Sequence, residues 1–399
     1  MTIKSKKGRI WLTVLLGMLT AMAPLSTDMY LPSLPVMAEA FGVGPSLIQL
    51  TLTMSMVGMA IGQLAAGPIS DQRGRRWPLI LGMLVFAASS LGCVFAESIY
   101  WFLGFRLIQG LAGAVGIVVA KAIARDVCEG VELTRFFALL MLVNGLAPII
   151  APVIGGQVLL FASWRGIFVL LVAIGAVLML ASAVQRETLP ASRRIHSLMA
   201  SFRSFGRLFS DRYFMGHCLM QCWFFGAFFA YISGSSFLFQ NVYHISAQAF
   251  SVLFGGIGAA IAVCGIVPAR LAGRVSDVHM LVWSLVQALV GGVLFFVCCW
   301  LRAPFALTVA ALLVTIPMIS VLGAASFSLA MRAQGKNAGS AAALIGFFSM
   351  ISGGVMAPLV GIGGSADPMP MAVIMVAGQA GALVCYWIMI RPAHQQCPR

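Results

Sequence analysis

Apolar residues come in long blocks along this chain, parted by short stretches that carry charge, proline or glycine. Twelve blocks can be counted, at roughly 10–36, 46–66, 78–96, 98–120, 137–160, 164–184, 213–238, 248–269, 280–300, 304–328, 338–362 and 368–390. About twenty apolar residues are what an α-helix needs to cross the hydrocarbon core of a bilayer. Helices also satisfy their own backbone polar groups where no water can. The pattern therefore predicts an all-α membrane protein of twelve transmembrane helices. The one long break, 186–212, is basic and central. It predicts two six-helix bundles, 1–185 and 213–399, joined by a cytoplasmic loop over 186–212.

The two halves partly repeat each other. Gly67 and Asp71 map onto Gly273 and Asp277 at an offset of 206 residues, and Trp77 maps onto Trp283. At the same offset Ala151-Pro152-Val153-Ile154-Gly155 maps onto Ala357-Pro358-Leu359-Val360-Gly361. Two separate matches at one offset point to two pseudo-symmetric copies of one membrane-embedded unit. Many secondary transporters place a substrate site between such repeats.

Composition removes the soluble alternatives. The chain is 61% hydrophobic and 9% charged, against about 25% charged in soluble domains. A formal charge of +14 would suit nucleic acid, but its distribution does not. With the N-terminus inside, 22 of the 25 Lys and Arg residues fall on the cytoplasmic side, leaving Arg165 and Arg302 outside and Arg106 within a span. That asymmetry is the positive-inside rule; it predicts both termini in the cytoplasm and an even number of spans. The basic leader and Ala21-Met22-Ala23 also resemble a signal peptide, yet cleavage would leave eleven spans and spoil the even count. The nine cysteines and five histidines show no metal-binding spacing, so neither a metal nor a cofactor is expected. No phosphate-cradling loop is present to use ATP.

Ionisable residues inside spans are costly and call for a reason. Asp28, late in span one, lies roughly 27 Å from the cytoplasmic face at 1.5 Å per residue, and Arg106, in span four, roughly 22 Å. The matched depths suggest one shared cavity. A plainer reading is that Asp28 caps the outer end of span one beside Pro32 and Pro35.

The segment Pro24-Leu25-Ser26-Thr27-Asp28-Met29-Tyr30-Leu31-Pro32-Ser33-Leu34-Pro35 resembles the signature of the Bcr/CflA drug-efflux group, the bicyclomycin-resistance transporters of the major facilitator superfamily. Gly67-Pro68-Ile69-Ser70-Asp71-Gln72-Arg73-Gly74-Arg75-Arg76 resembles the superfamily's loop motif between spans two and three, with Gln72 in place of the usual basic residue. Arg106-Leu107-Ile108-Gln109-Gly110 is similar to the span-four motif, and Pro148–Gly156 to the span-five antiporter motif. Arg186-Glu187-Thr188-Leu189-Pro190 after span six is similar too. The resemblance implies a major facilitator fold in the inner membrane and proton-coupled export of small amphipathic drugs, such as bicyclomycin-, chloramphenicol- or sulfonamide-type compounds. It also implies that Gly67, Asp71, Gly74, Arg75 and Arg76, with Arg125 and Asp126 closing span four, form a latch that gates conformational cycling.

Residue chemistry fills in the roles. Asp28 is the expected proton carrier, and Arg106 would stabilise its ionised form. In span five, Gly145, Pro148, Pro152, Gly155 and Gly156 suit a hinge or a close-packed interface, since prolines bend helices and glycines let neighbours approach. Tyr30, Gln109, Asn144, Tyr231 and Phe237 are the candidate lining of a substrate cavity, the last two from an aromatic stretch in span seven. A membrane enzyme would need a nucleophile, metal or paired-carboxylate site that the sequence lacks. A channel would not need paired charges at depth. The remaining alternative is a transporter of a metabolite such as a nucleoside, sugar or small peptide, since fold does not fix cargo. The partners expected are a small-molecule substrate, protons and the lipid bilayer, with no nucleic acid, and the chain is expected to act as a monomer.

Overall fold

A computed structural model describes residues 6–128, 130–190, 194, 206, 208–271, 274–332, 334 and 338–392. Helices form throughout because long apolar blocks leave the backbone no other partner in lipid. In chain order they are α1 (Lys6–Asp28), a 3-10 turn (Leu31–Ser33), α2 (Leu34–Phe41), α3 (Pro45–Arg73), α4 (Arg76–Phe95), α5 (Ile99–Val127), α6 (Gly130–Phe161) and α7 (Arg165–Val184). There follow α8 (Arg212–Phe237), α9 (Ala247–Gly265), the short α10 (Val267–Leu271), α11 (Asp277–Trp300), α12 (Phe305–Thr315), α13 (Met318–Met331), α14 (Ala338–Val360) and α15 (Met369–Cys385). Among the described residues eleven helical stretches are long and apolar enough to cross a bilayer, and α6 adds an apolar segment over Gly145–Phe161. Among the described residues these eleven stretches and the shorter one in α6 follow the twelve apolar blocks.

The differences from that pattern have local causes. Span one does not run unbroken to residue 36. It stops at Asp28, turns through Leu31–Ser33 and resumes as α2, because Pro32 and Pro35 cannot continue the hydrogen-bond ladder. Span ten is two helices, α12 and α13, parted at Ile316-Pro317. Pro148 and Pro152, by contrast, sit inside a continuous α6.

Cα packing divides the chain into two compact units, one of residues 1–41 and 54–201, the other of 42–53 and 202–399. In the first unit, α4 packs on α5 and α7, and α1 on α5 and α6. Helices α3 and α5 touch backbone to backbone. A Cβ at Gly58 would strike the Leu107 carbonyl, and one at Gly110 the Ser55 carbonyl. Gly58 and Gly62 stand four apart, the small-residue spacing that lets membrane helices approach closely.

In the second unit, α8 packs against α14 and α15, and α11 against α12, α13 and α15. Its core gathers Met220, Phe224, Leu285, Leu322 and Tyr386. Residues 42–53 belong to this unit through hydrogen bonds from Ser46 Oγ to Pro358 O (2.9 Å), Gln49 Nε2 to Ser233 O (3.1 Å) and Thr53 Oγ1 to Gly354 O (2.6 Å). The sequence repeat is only partly a structural one. Asp71 lies in the last turn of α3, whereas Asp277 is the first residue of α11, capped by Ser276 and paired with Arg332 at 2.7 Å.

Candidate functional site

The last turns of α1 are rich in hydroxyls that bond back to the helix: Thr20 to Gly17 O (2.8 Å), Ser26 to Ala23 O (3.0 Å) and Thr27 to Ala23 O (2.9 Å). They pull the chain into a buried end where Asp28 is only 6% exposed. The carboxyl therefore sits both at the helix end and inside the bundle. A carboxylate is unfavourable there, facing the negative end of the helix dipole. Its hydrogen-bond partner is Thr27 Oγ1, 2.9 Å from Oδ1.

Arg106, fully buried on α5, reaches the same turn. Its Nη1 donates to Ser26 O at 3.0 Å and to Gln109 Oε1. Its guanidinium lies 4.5 Å from the Tyr30 ring centroid and 5.8 Å from that of Phe168 on α7, geometry suited to cation–π attraction. Gln109 Nε2 in turn donates to Ser90 Oγ of α4 at 2.7 Å. Four helices thus meet in one polar knot inside an apolar bundle. The expected Asp28–Arg106 ion pair is absent: Arg106 spends Nη1 on Ser26 and Gln109, while Asp28 stays on Thr27. Arg106 Nε and Nη2 are buried with no hydrogen-bond partner among the described residues.

Of the candidate cavity residues, Tyr30 and Gln109 join this knot. The side chain of Asn144 lies outside the described residues. Tyr231 and Phe237 are elsewhere, in the second unit. Tyr231 stacks on Phe254 with ring centroids 5.5 Å apart and planes at 6°. Phe237, 6% exposed, lines a small hollow with Gly234, Leu238 and Met371. The sequence reading missed Ser90 and Phe168. Gln109 carried a signal for such a knot, lying three residues after Arg106 on one helix face.

Glycine and proline positions in α6 separate into two kinds. A Cβ at Gly155 would collide with the Met29 carbonyl, one residue past Asp28, so α6 can approach there only because the side chain is missing. A Cβ at Gly145 would meet nothing within 4 Å among the described residues, so of a hinge or a close-packed interface the second does not apply there. Gly155→Val is expected to destabilise the protein by about 1–3 kcal/mol through overpacking, read as a lower unfolding midpoint in detergent. Gly145→Ala should stay within about 0.5 kcal/mol of wild type.

The loop after α3 forms a second cluster. Gly74 takes φ +92, a left-handed turn that favours glycine. Arg75, 6% exposed, then reaches Asp71 Oδ1 (Nη1, 2.5 Å), Ser70 Oγ (Nη1, 2.8 Å) and Asp126 Oδ2 (Nε, 2.9 Å). Burial pulls the Arg75 pKa down, but the bonds to Asp126 and Asp71 outweigh it and raise it overall. Arg76 is exposed and donates through Nη2 to Ala183 O at the end of α7. Arg125 stays exposed outside the cluster. Neighbours on a helix do not share a face, so Asp126 points at Arg75 while Arg125 points away. A Cβ at Gly67 would make only an ordinary van der Waals contact with Val118. Pro148, Pro152 and Gly156 lie within α6.

Among the described residues no group of three or more His, Cys, Asp or Glu is placed to hold a metal ion. The sequence model of the Major Facilitator Superfamily matches residues 16–358. The chain is 40% identical over 385 residues to "Uncharacterized MFS-type transporter YdgK" of Bacillus subtilis (strain 168), covering 95% of this chain and 96% of that one. It is 28% identical to "Bicyclomycin resistance protein homolog" of Haemophilus influenzae, covering 97% and 98%. A "Chloramphenicol resistance protein" of Pseudomonas aeruginosa is 32% identical over 66% of this chain and 61% of its own length. Among solved structures, a bacterial homologue of the human lysosomal transporter Spinster superposes with a TM-score of 0.78 at 13% identity, covering 97% of this chain and 98% of that one. A D-xylose–proton symporter does so with 0.78 at 12%, covering 96% and 98%.

Proposed function

Because the chain belongs to the major facilitator superfamily, we propose that this multi-pass membrane transporter is a proton-coupled antiporter that exports small amphipathic antibiotics across the bacterial inner membrane. The proton step rests on one observation. Thr27 Oγ1 lies 2.9 Å from both Ala23 O and Asp28 Oδ1. A hydroxyl has one hydrogen to give. With it donated to Ala23, the second contact closes when Asp28 carries a proton and donates to Thr27. On this reading Asp28 holds a proton without Arg106, while Arg106 Nε and Nη2 serve the carboxylate once that proton leaves. Proton binding and release would then switch one buried carboxyl between two partners, neutral on Thr27 and charged beside Arg106, at the end of α1.

The latch around Arg75 is assigned to conformational cycling, holding the loop between α3 and α4 to the ends of α5 and α7. Drug cargo is supported by the apolar and aromatic surroundings of the knot, which leave no uncompensated fixed charge once Asp28 ionises beside Arg106. The relatives named for bicyclomycin and chloramphenicol resistance point the same way.

Expression in a bacterial host stripped of its own efflux pumps is the direct test. The inhibitory concentration of at least one bicyclomycin-, chloramphenicol- or sulfonamide-type drug should rise at least fourfold, as a roughly fourfold change needs under 1 kcal/mol of drive. A protonophore should erase the gain. No change for any drug, with nucleoside, sugar or peptide flux altered instead, would reject antibiotic export.

A further inference from the structure

Glu187, in the Arg186–Pro190 stretch, follows the end of α7 by three residues, away from the Asp28–Arg106 knot. Its carboxylate nevertheless collects four backbone N–H groups. Oε1 accepts from Arg75 (2.8 Å), Thr188 (3.0 Å) and Leu189 (3.0 Å), and Oε2 from Arg76 (3.2 Å). Two of these donors open α4. A helix leaves its first N–H groups without internal partners, and a side chain just before it usually accepts them. Arg75 occupies that position in α4 and makes no such bond. The acceptor comes instead from 112 residues away. Gly74 is fitted to this arrangement, since a Cβ there would collide with the Glu187 carboxylate.

The surrounding bonds close a ring. Thr188 Oγ1 donates to Asp126 Oδ2 at 3.2 Å, Asp126 accepts from Arg75, and Arg76 ties to Ala183 O. We infer that Glu187 is a positioning residue: a detached N-cap that fixes the first turn of α4 to the end of α7, and so presents Arg75 to Asp71 and Asp126 together. Partial burial pushes the Glu187 pKa up, but the four backbone bonds outweigh this and hold it below the ordinary value of 4.5. A carboxylate with a depressed pKa stabilises the fold above its ordinary pKa and gives that up as pH falls through the depressed one. The cap therefore stays charged throughout the cytoplasmic range.

This inference rests on the proposed role of the Arg75 latch in cycling, so its test includes a readout that does not need transport. Hydrogen exchange is followed across the purified full-length protein for wild type, Glu187→Gln and Glu187→Asp. Loss of a helix cap of about 1 kcal/mol should speed exchange at residues 75–79 roughly fivefold in Glu187→Gln. Exchange in α13 should stay unchanged, and Glu187→Asp should fall between the two. In transport, Glu187→Gln should lower kcat with KM unchanged, and Glu187→Asp should recover part of it. Unchanged exchange at 75–79, or acceleration spread evenly over all helices, overturns the inference. So does local acceleration with wild-type kcat. If the wild-type protein exports no drug, the exchange result still decides whether Glu187 caps α4, and antibiotic export alone falls.

Discussion

Asp28→Asn is expected to yield a folded, membrane-inserted protein that binds its substrate but builds no gradient. The substitution keeps the side chain's size, and an amide N–H can still donate to Thr27 Oγ1 as the protonated carboxyl does. What disappears is a proton that can be taken up and released. One charge crossing 100 mV is worth roughly 2.3 kcal/mol. At about 1.4 kcal/mol per tenfold, that drive supports an accumulation ratio of about fiftyfold. The variant should fall to a ratio of about one, the value for facilitated diffusion without drive. Everted vesicles energised by respiration, with and without protonophore, measure this ratio directly. Binding in detergent checks that the site survives. Fiftyfold accumulation in Asp28→Asn would take Asp28 out of the coupling step.

The spans were legible because bilayer thickness imposes a length that any apolar block must meet. Finer breaks were not. Pro317 parts α12 from α13, while Pro148 and Pro152 leave α6 whole. A proline's effect depends on whether neighbouring groups take up the freed carbonyls, and that is a matter of packing. The charged residues of the site were readable one by one, since a charge inside a span stands out. Their partners were less so. Arg106 was expected on Asp28 but turns to a backbone carbonyl and a glutamine, which have no one-letter signature. Arg125 and Asp126 looked equivalent until the helix put them on different faces. Glu187 shows the same limit from the other side, because its acceptor role is written only in backbone N–H groups far away in sequence.

Arg106→Ala should abolish export, and Arg106→Lys should retain a measurable part of it with an altered pH dependence. The alanine variant removes the cation, strips Ser26 O and Gln109 Oε1 of their donor and leaves a cavity beside Tyr30 and Phe168. An unpaired carboxylate in that pocket would cost several kcal/mol, on the order of 3–5, so Asp28 could no longer release its proton there. Lysine supplies the charge but a single ammonium in place of the planar fork. It cannot hold Ser26 O and Gln109 while keeping two donors free for Asp28, so turnover should drop by about tenfold or more, as loss of one charge-assisted hydrogen bond of ~1.5–3 kcal/mol implies. The double variant separates a shared step from two independent ones. If Arg106 acts through the Asp28 proton, adding Arg106→Lys to Asp28→Asn should cost nothing further in export driven by an imposed substrate gradient, because the step it tunes is already gone. Additive losses in the double variant, or a wild-type pH profile in Arg106→Lys, would show that the guanidinium works on the bound drug or on packing rather than on the proton.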